Sequence, residues 1–523
     1  MTAKVSQVSI IVPDFGFGRT LEESVSRIGD IAPYGAEVLI VPIHASRRVT
    51  RFDETDSRRL WKAKNLRMIV NPDGNYARGL NRAARASRGD VLIFIPSFVD
   101  VRPELIPRYV ETLDADPQIA VVYGNYDLVV NSGERVTRTV IADETDLSEW
   151  SSMGYVKAIR RTALDAVGGY DPFYHWADEY DLRLRITHNF TLGRIADPLY
   201  EVNAVAAGFD WEEARQSMQR YFTPESTTKG GFGYLFYPEE ISQEIESAFR
   251  SALHNRRAYL SHENRAIHCP HSHCEPDVSV IIPVRNRVRF ISRAIESVLA
   301  GSFKDFELIV VDNGSTDGTI EEVEHFQRKF PNIMLLRSPP GQIAAALNLG
   351  VRAARGKYIS QLDSDDEYTP DTLEMQVAHL ESHPNCAVAI SYYDVMDQDG
   401  NPMPELGTIK HLEYDRNNIL RTNGAGAART WHRCVIERLG GFDEQNFGNY
   451  AEDYDLVLRV SEKYDVDRVH AVLYRCRLHG GNTEQGLSME FRAGRKILAR
   501  SFALKRRQKT TQGVALTFHQ ATG

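Results

Sequence analysis

Several things are scarce in this chain, and each scarcity excludes something. No apolar run reaches the eighteen or so residues that a membrane-spanning helix needs, and the opening MTAKVSQVSIIVP lacks the charged, apolar and cleavage regions of a secretory signal. Both point to a cytoplasmic protein, held at most at the inner face of the cell membrane. Only five cysteines occur in 523 residues (Cys269, Cys274, Cys386, Cys434, Cys476). Odd in number and scattered, they read as separate reduced thiols, not a disulfide framework. There is no excess of positive charge: the formal net charge is −9, which argues against nucleic acid as a partner, since neutralising phosphates takes a whole face of Lys and Arg. Neither GxxxxGK[ST] nor GxSxG is present.

The remaining composition, 42% hydrophobic and 25% charged, is that of a globular protein. Its length exceeds what a single core holds. The chain repeats itself at a period of roughly 270 residues, far too long for a solenoid and suited to tandem domains. VSIIVP at 8–13 answers VSVIIP at 278–283, and GNYARGLNRAARASRGDVLIFIP at 74–96 answers GQIAAALNLGVRAARGKYISQLD at 341–363 without a gap. GGYD at 168–171 answers GGFD at 440–443, and ADEYDLRLRI at 177–186 answers AEDYDLVLRV at 451–460. In each half β-branched apolar runs alternate with amphipathic helical patterns, which predicts an α/β fold with a mostly parallel sheet covered on both faces. Ligands of such sheets sit beyond the carboxyl ends of the strands, where Asp312 and Asp363 close theirs.

The run KYISQLDSDDEY, 357–368, delivers Asp363, Asp365 and Asp366 into one turn. Carboxylates so close repel unless something neutralises them, and hard oxygen ligands suit Mg²⁺ or Mn²⁺. A solvated acidic turn is the alternative. DNGSTDGT at 312–319 is no EF-hand, because Gly314 and Val323 occupy the third and twelfth loop positions. NGAGAA at 423–428 lacks the third glycine of a dinucleotide fingerprint.

Taken in order, VSVIIPVRN, IVVDNGSTDGT, LDSDD, GGFD and EDYDL resemble the family 2 glycosyltransferases of the GT-A fold, fully in the C-terminal half and in outline in the N-terminal half. The resemblance implies two tandem GT-A domains and an inverting, metal-dependent transfer of a sugar. The donor would be a nucleotide sugar, UDP-linked, and the acceptor a hydroxyl of a glycan or lipid-linked molecule in surface polysaccharide synthesis. Asp312 would accept the imide N–H of the base; Pro283, Arg285 and Asn286 would frame the nucleotide. Asp363, Ser364 and Asp365 match the DxD, with Asp363 on ribose or metal and Asp365 on the cation. Asp453 matches the general base. Glu452 and Gly441 would lie on the acceptor side, although Gly440 and Gly441 read equally well as a helix cap. His479 falls where relatives carry a histidine near the diphosphate or metal.

In the N-terminal half, Pro42, Gly16, Pro96, Phe98 and Val205 stand where Asp312, Asn286, Asp363, Asp365 and His479 stand in the C-terminal half. The expectation is a degenerate, silent copy, although Asp178 and Glu179 still match Glu452 and Asp453. The alternatives are a polymerase with both halves active and a glycan-binding scaffold. The expected boundaries are 1–210 for the degenerate domain, 211–275 for a helical connector, 276–485 for the catalytic domain and 486–523 for a basic tail. Residues 486–509 carry eight Lys or Arg against one Glu and could lie on an anionic membrane or pack on the domain. HCPHSHC at 268–274 could ligate zinc but lacks paired CxxC spacing.

Overall fold

A computed structural model describes residues 7–16, 23, 26–28, 36–43, 65–129, 133–203, 220–221, 238–261, 265–269, 275–410, 413–422, 426, 428–481 and 486–521. The chain divides into two compact units, Met1–Arg256 and Arg257–Gly523.

The first unit holds strands β1 (Val8–Asp14), β2 (Glu37–Pro42), β3 (Leu66–Met68), β4 (Val91–Phe94), β5 (Val99–Val101), β6 (Ile119–Gly124), β7 (Tyr126–Val129), β8 (Arg135–Arg138), β9 (Lys157–Arg160), β10 (Thr191–Ile195) and β11 (Tyr200–Asn203). Seven form a sheet in the order β10-β6-β9-β4-β1-β2-β3, and β5-β11-β7-β8 form a smaller one. The second unit holds β12 (Val278–Val284), β13 (Phe306–Asp312), β14 (Ile333–Arg337), β15 (Tyr358–Gln361), β16 (Glu367–Tyr368), β17 (Cys386–Met396), β18 (Arg429–His432) and β19 (Asp465–Arg477). Their order is β14-β13-β12-β15-β18-β17-β19-β16. Laid side by side, β3-β2-β1-β4-β9-β6-β10 and β14-β13-β12-β15-β18-β17-β19 share one topology. In both, β9 or β18 runs antiparallel between otherwise parallel strands. The central strands are buried on both faces because their residues are mostly apolar, with Val and Ile prominent.

Polar contacts repeat with the topology. Ser9 Oγ donates to Glu37 at 2.7 Å and accepts the Gly89 N–H at 2.7 Å; Ser279 does the same with Glu307 at 2.7 Å and Gly356 at 2.9 Å. Asn81 clasps the backbone of Tyr170, and Asn348 that of Phe442. Arg185 and Arg459 each pair with an aspartate one turn back and donate to two carbonyls of the Gly-Gly loop. The loop after helix Arg433–Arg438 returns two N–H groups, Gly440 to Glu437 and Gly441 to Ile436, closing the helix in a Schellman cap. A Cβ on Gly441, at φ +77°, would meet Asn348 Oδ1 at 2.4 Å. Both Asn348 groups are tied to Phe442 and cannot swing away. Gly441→Ala is therefore expected to cost about 2–3 kcal/mol, read as a lower denaturant midpoint; an unchanged midpoint would show that the loop re-forms without strain.

The structure bears on three of these expectations. Helix Glu239–Asn255, placed in a separate connector over 211–275, packs on the first unit: Ile245, Phe249 and Leu253 are buried, and the Glu244 carboxylate accepts the N–H groups of His175, Trp176 and Ala177. Arg256 donates to Leu184 O and Thr187 Oγ1, whereas Leu260 exchanges hydrogen bonds with Asn417 of the second unit. The units thus meet at 256/257, because the apolar stripe of that helix finds its partner at once.

The basic tail forms the helix Met489–Ala521 and packs on the second unit, the second of the two readings of 486–509, and part of its basic face turns inward. Arg495, Arg500, Arg506 and Arg507 reach Asn446 O, Tyr454 Oη, Glu462 and Arg416 O, while Arg492 and Lys496 are half-buried and Lys505 and Lys509 exposed. Among the described residues no helix is long and apolar enough to cross a membrane.

The thiols are not all separate. Cys269 and Cys434 are bonded, with Cα atoms 5.7 Å apart across a sequence separation of 165, a pairing that spacing alone could not reveal. Cys386 and Cys476 are not in a disulfide. The remainder of HCPHSHC, 270–274, lies outside the described residues, as does Val205.

Candidate active site

In the second unit β12, β13 and β15 run parallel, so their carboxyl ends share one edge. The turn after β12 passes through Asn286 at φ +53°, a left-handed conformation that Asn tolerates because its amide can bond locally. Its Oδ1 accepts the Thr316 N–H at 2.8 Å, and its own N–H donates to Ser315 Oγ at 2.9 Å. Asn286 is therefore a brace for the loop that follows Asp312. Asp312 is buried and accepts N–H groups from Gly314 at 3.1 Å and Ser315 at 3.2 Å, which hold its carboxylate at the strand end. Pro283 is buried within β12 and Arg285 is exposed.

Beyond β15 the three aspartates take different roles. Asp366 is buried and accepts the Arg477 N–H at 2.7 Å, while Arg477 Nε donates to the Asp365 carbonyl at 2.8 Å. Asp366 thus builds the turn, and burial, with Asp365 and Asp363 adding, pushes its carboxyl well above the usual range. Ser364 is buried inside the same turn. Asp365 Oδ2 meets His479 Nε2 at 2.9 Å and Arg287 Nε at 3.2 Å. Burial pushes Asp363 up to about 6 against the pull of Arg429, with Asp365 and then Asp453 adding to the rise.

This crowding is the test of fit for a cation. Asp363 and Asp365 offer hard oxygens whose mutual repulsion a divalent ion would relieve, so the donor set suits Mg²⁺ or Mn²⁺. His479 fits less well. The Gly481 N–H donates to its Nδ1 at 3.1 Å, which leaves the ring proton on Nε2, facing Asp365. Ligation through Nε2 would require giving up that arrangement. As it stands, packed at a tilt against Phe290 with centroids 4.6 Å apart, His479 orients Asp365.

Asp453 sits in the first turn of helix Glu452–Ser461, where the helix dipole favours an anion. Ala451 before it is held at φ +67°, a strained conformation of the kind that clusters at functional sites. Arg429, at the start of β18 and buried, reaches Asp453 Oδ2 at 2.7 Å. Glu452 turns into the core, where burial first and Asp453 second push its carboxyl well above the usual carboxylate range. The edge thus gathers Asp312, Asp363, Asp365, Asp453 and His479, but not Gly441, which lines a separate cleft with Asn348, Asp443 and Arg459. Arg429 and Arg287 were missed in the sequence. Arg429 carried a signal: the offset that sets GGYD at 168 on GGFD at 440, 440 − 168 = 272, also sets Lys157 on Arg429, 429 − 157 = 272.

The same place in the first unit is filled. Lys157 pairs with Phe94 across β4 and β9 as Arg429 pairs with Gln361 across β15 and β18. It contacts Glu179 at 2.9 Å with both side chains buried, which repeats the Arg429–Asp453 pair with both members exchanged. Tyr76 and Tyr170 also donate to Glu179. Asp178 is buried against Arg220 at 2.6 Å, and burial, opposed by Arg220, pushes it up to about 7. Phe98 packs on Phe15 and Tyr155, and Tyr221 lies among Phe15, Tyr76 and Tyr155.

Residues 279–438 match the family model described as glycosyl transferase family 2. A chondroitin synthase of Pasteurella multocida is 30% identical over 259 residues, 49% of this chain and 26% of the relative, so the chain spans about a quarter of that synthase's length. An uncharacterised glycosyltransferase of Rickettsia bellii is 23% identical over 507 residues, 91% of this chain and 70% of its own. Among solved structures, residues 1–349 of S. aureus TarS in complex with UDP-GlcNAc share 20% identity at a TM-score of 0.34, covering 41% of this chain and 62% of that one. Over residues 279–438 the second unit is thus similar to the family 2 glycosyltransferases.

Proposed function

We propose that the second unit transfers a sugar, with inversion, from a UDP-linked donor to a hydroxyl of a glycan or lipid-linked acceptor during surface polysaccharide synthesis, and that the first unit is a degenerate, non-catalytic copy. One observation carries the reading: Asp312, Asp363, Asp365 and Asp453 lie along one sheet edge with Arg429 buried behind them. The chondroitin synthase relative supports a polysaccharide product.

In this reading Asp312, braced by the Gly314 and Ser315 amides, accepts the imide N–H of uracil at the outer strand. Asp363 and Asp365 would hold Mg²⁺ or Mn²⁺, which when bound neutralises the leaving diphosphate. Asp453 takes the proton of the acceptor hydroxyl as that oxygen bonds to the anomeric carbon and the bond to the diphosphate oxygen breaks. Arg429 fixes the Asp453 carboxylate, and His479 and Arg287 fix Asp365. The filled pocket around Glu179 supports the silent reading of the first unit.

The test is binding and turnover of a panel of nucleotide sugars with Mn²⁺ or Mg²⁺. Asp365→Ala is expected to weaken metal-dependent donor binding by more than the ~10- to 100-fold typical for loss of an outer-shell partner. Donor binding that survives Asp365→Ala would place the donor site elsewhere.

A further inference from the structure

A second group of ligating side chains lies in the same unit, away from the four aspartates. His379 Nε2 or Nδ1, Cys386 Sγ and an Asp467 carboxylate oxygen all lie within 4.8 Å of one another. His379 comes from the last turn of helix Thr372–Ser382, Cys386 opens β17, and Asp467 lies on β19. Strands β17 and β19 pair in parallel with a register shift between Cys386 and Val388. Such irregularities re-aim side chains, and here Cys386 and Asp467 are brought to the end of the same helix. His379 Nε2 meets Asp467 Oδ2 at 2.8 Å, and the buried Cys386 sulfur lies against the Val388 carbonyl at 3.3 Å and the Asp467 backbone.

One turn beyond His379, the His383 ring stacks on it with centroids 4.1 Å apart, and its Nδ1 is held by the His379 carbonyl at 2.9 Å. A ring nitrogen anchored on a backbone carbonyl, leaving the other outward, is the arrangement that metal-ligating histidines adopt. None of these residues has a part in the transfer reaction.

We propose that His379, Cys386 and Asp467 hold a zinc-class divalent cation, with the fourth position on the solvent side, where His383 stands. Imidazole, thiolate and carboxylate together select Zn²⁺ over the Mg²⁺ or Mn²⁺ suited to Asp363 and Asp365. On binding, the Cys386 thiol proton leaves to solvent as a sulfur–metal bond forms, and the His379 Nε2 proton, held against Asp467, passes to Nδ1 or to solvent, so that the imidazole nitrogen and the carboxylate each form a bond to the metal. The ion would tie the helix end to β17 and to β19, the strand that runs on toward His479.

The test uses the full chain, stripped with a chelator and titrated with Co²⁺ as a spectroscopic probe. In excess Mg²⁺, which occupies the Asp363 and Asp365 carboxylates, the expected result is one equivalent of Co²⁺ per chain with a thiolate-to-cobalt charge-transfer band that Zn²⁺ abolishes. Cys386→Ser removes the band, His379→Gln weakens Co²⁺ binding at least ~10-fold, and Asp365→Ala leaves both unchanged. No band in the wild type, or a band that survives Cys386→Ser, overturns the site. If Cys386→Ser does not fold, His379→Gln decides, since full-strength binding in that variant is equally fatal.

Discussion

Replacing Asp453 by Asn is expected to slow sugar transfer about 10³-fold while donor binding stays near wild type. Asn keeps the size of the side chain and can still accept from Arg429, so the helix Glu452–Ser461 should retain its geometry. It loses the capacity to take the acceptor proton as the new bond forms. The neighbouring Glu452 cannot replace it, because that carboxyl is buried and held well above the usual carboxylate range. The measurement is steady-state transfer alongside donor binding by calorimetry. Transfer within ten-fold of wild type would move the base to another group, and donor binding lost in parallel would make Asp453 a donor-site residue instead.

Lys157→Met in the first unit tests the other half of the reading. Lys157 and Glu179 are both buried, and stripping one partner from a buried ion pair leaves the other charge uncompensated, at a cost of about 3–5 kcal/mol. The phenols of Tyr76 and Tyr170 still donate to Glu179, which favours the lower end of that range. Hydrogen exchange of the β4 and β9 amides should accelerate accordingly, while transfer per folded molecule is unchanged. Lys157→Met with Glu179→Gln should recover part of the loss, since two neutral groups leave no orphaned charge. A variant that folds normally but loses transfer would show that the first unit takes part in the chemistry.

Much of this was legible in the chain because it resides in repeated local patterns. Continuous apolar runs announced the parallel strands, and an offset shared by several motifs announced two units of like topology. The aspartates stood out because three carboxylates in one turn demand an explanation. Their division of labour did not: that Asp366 is committed to the Arg477 amide follows from where β19 ends, more than a hundred residues on. Arg429 was hidden for a different reason. Its signal was a Lys at the matching position of the first half, visible only to a comparison that asks which cations, and not only which carboxylates, persist. The Arg220–Asp178 contact and the Cys269–Cys434 bond are purely tertiary, and no period or spacing encodes either.

If the first unit is a degenerate copy, as proposed above, the aromatic packing around Glu179 bears on whether catalytic competence could return to it. Restoring aspartates at positions 96 and 98 would supply the missing charges, but into a space that Phe15, Tyr76, Tyr155 and Tyr221 already occupy around Phe98. A charge placed there would be cut off from solvent, and the nearby cations Lys157 and Arg220 are already committed to Glu179 and Asp178. Revival therefore requires emptying the pocket first, through intermediates that lose core packing and gain nothing. The filled site acts as a ratchet, and divergence between the two units runs in one direction.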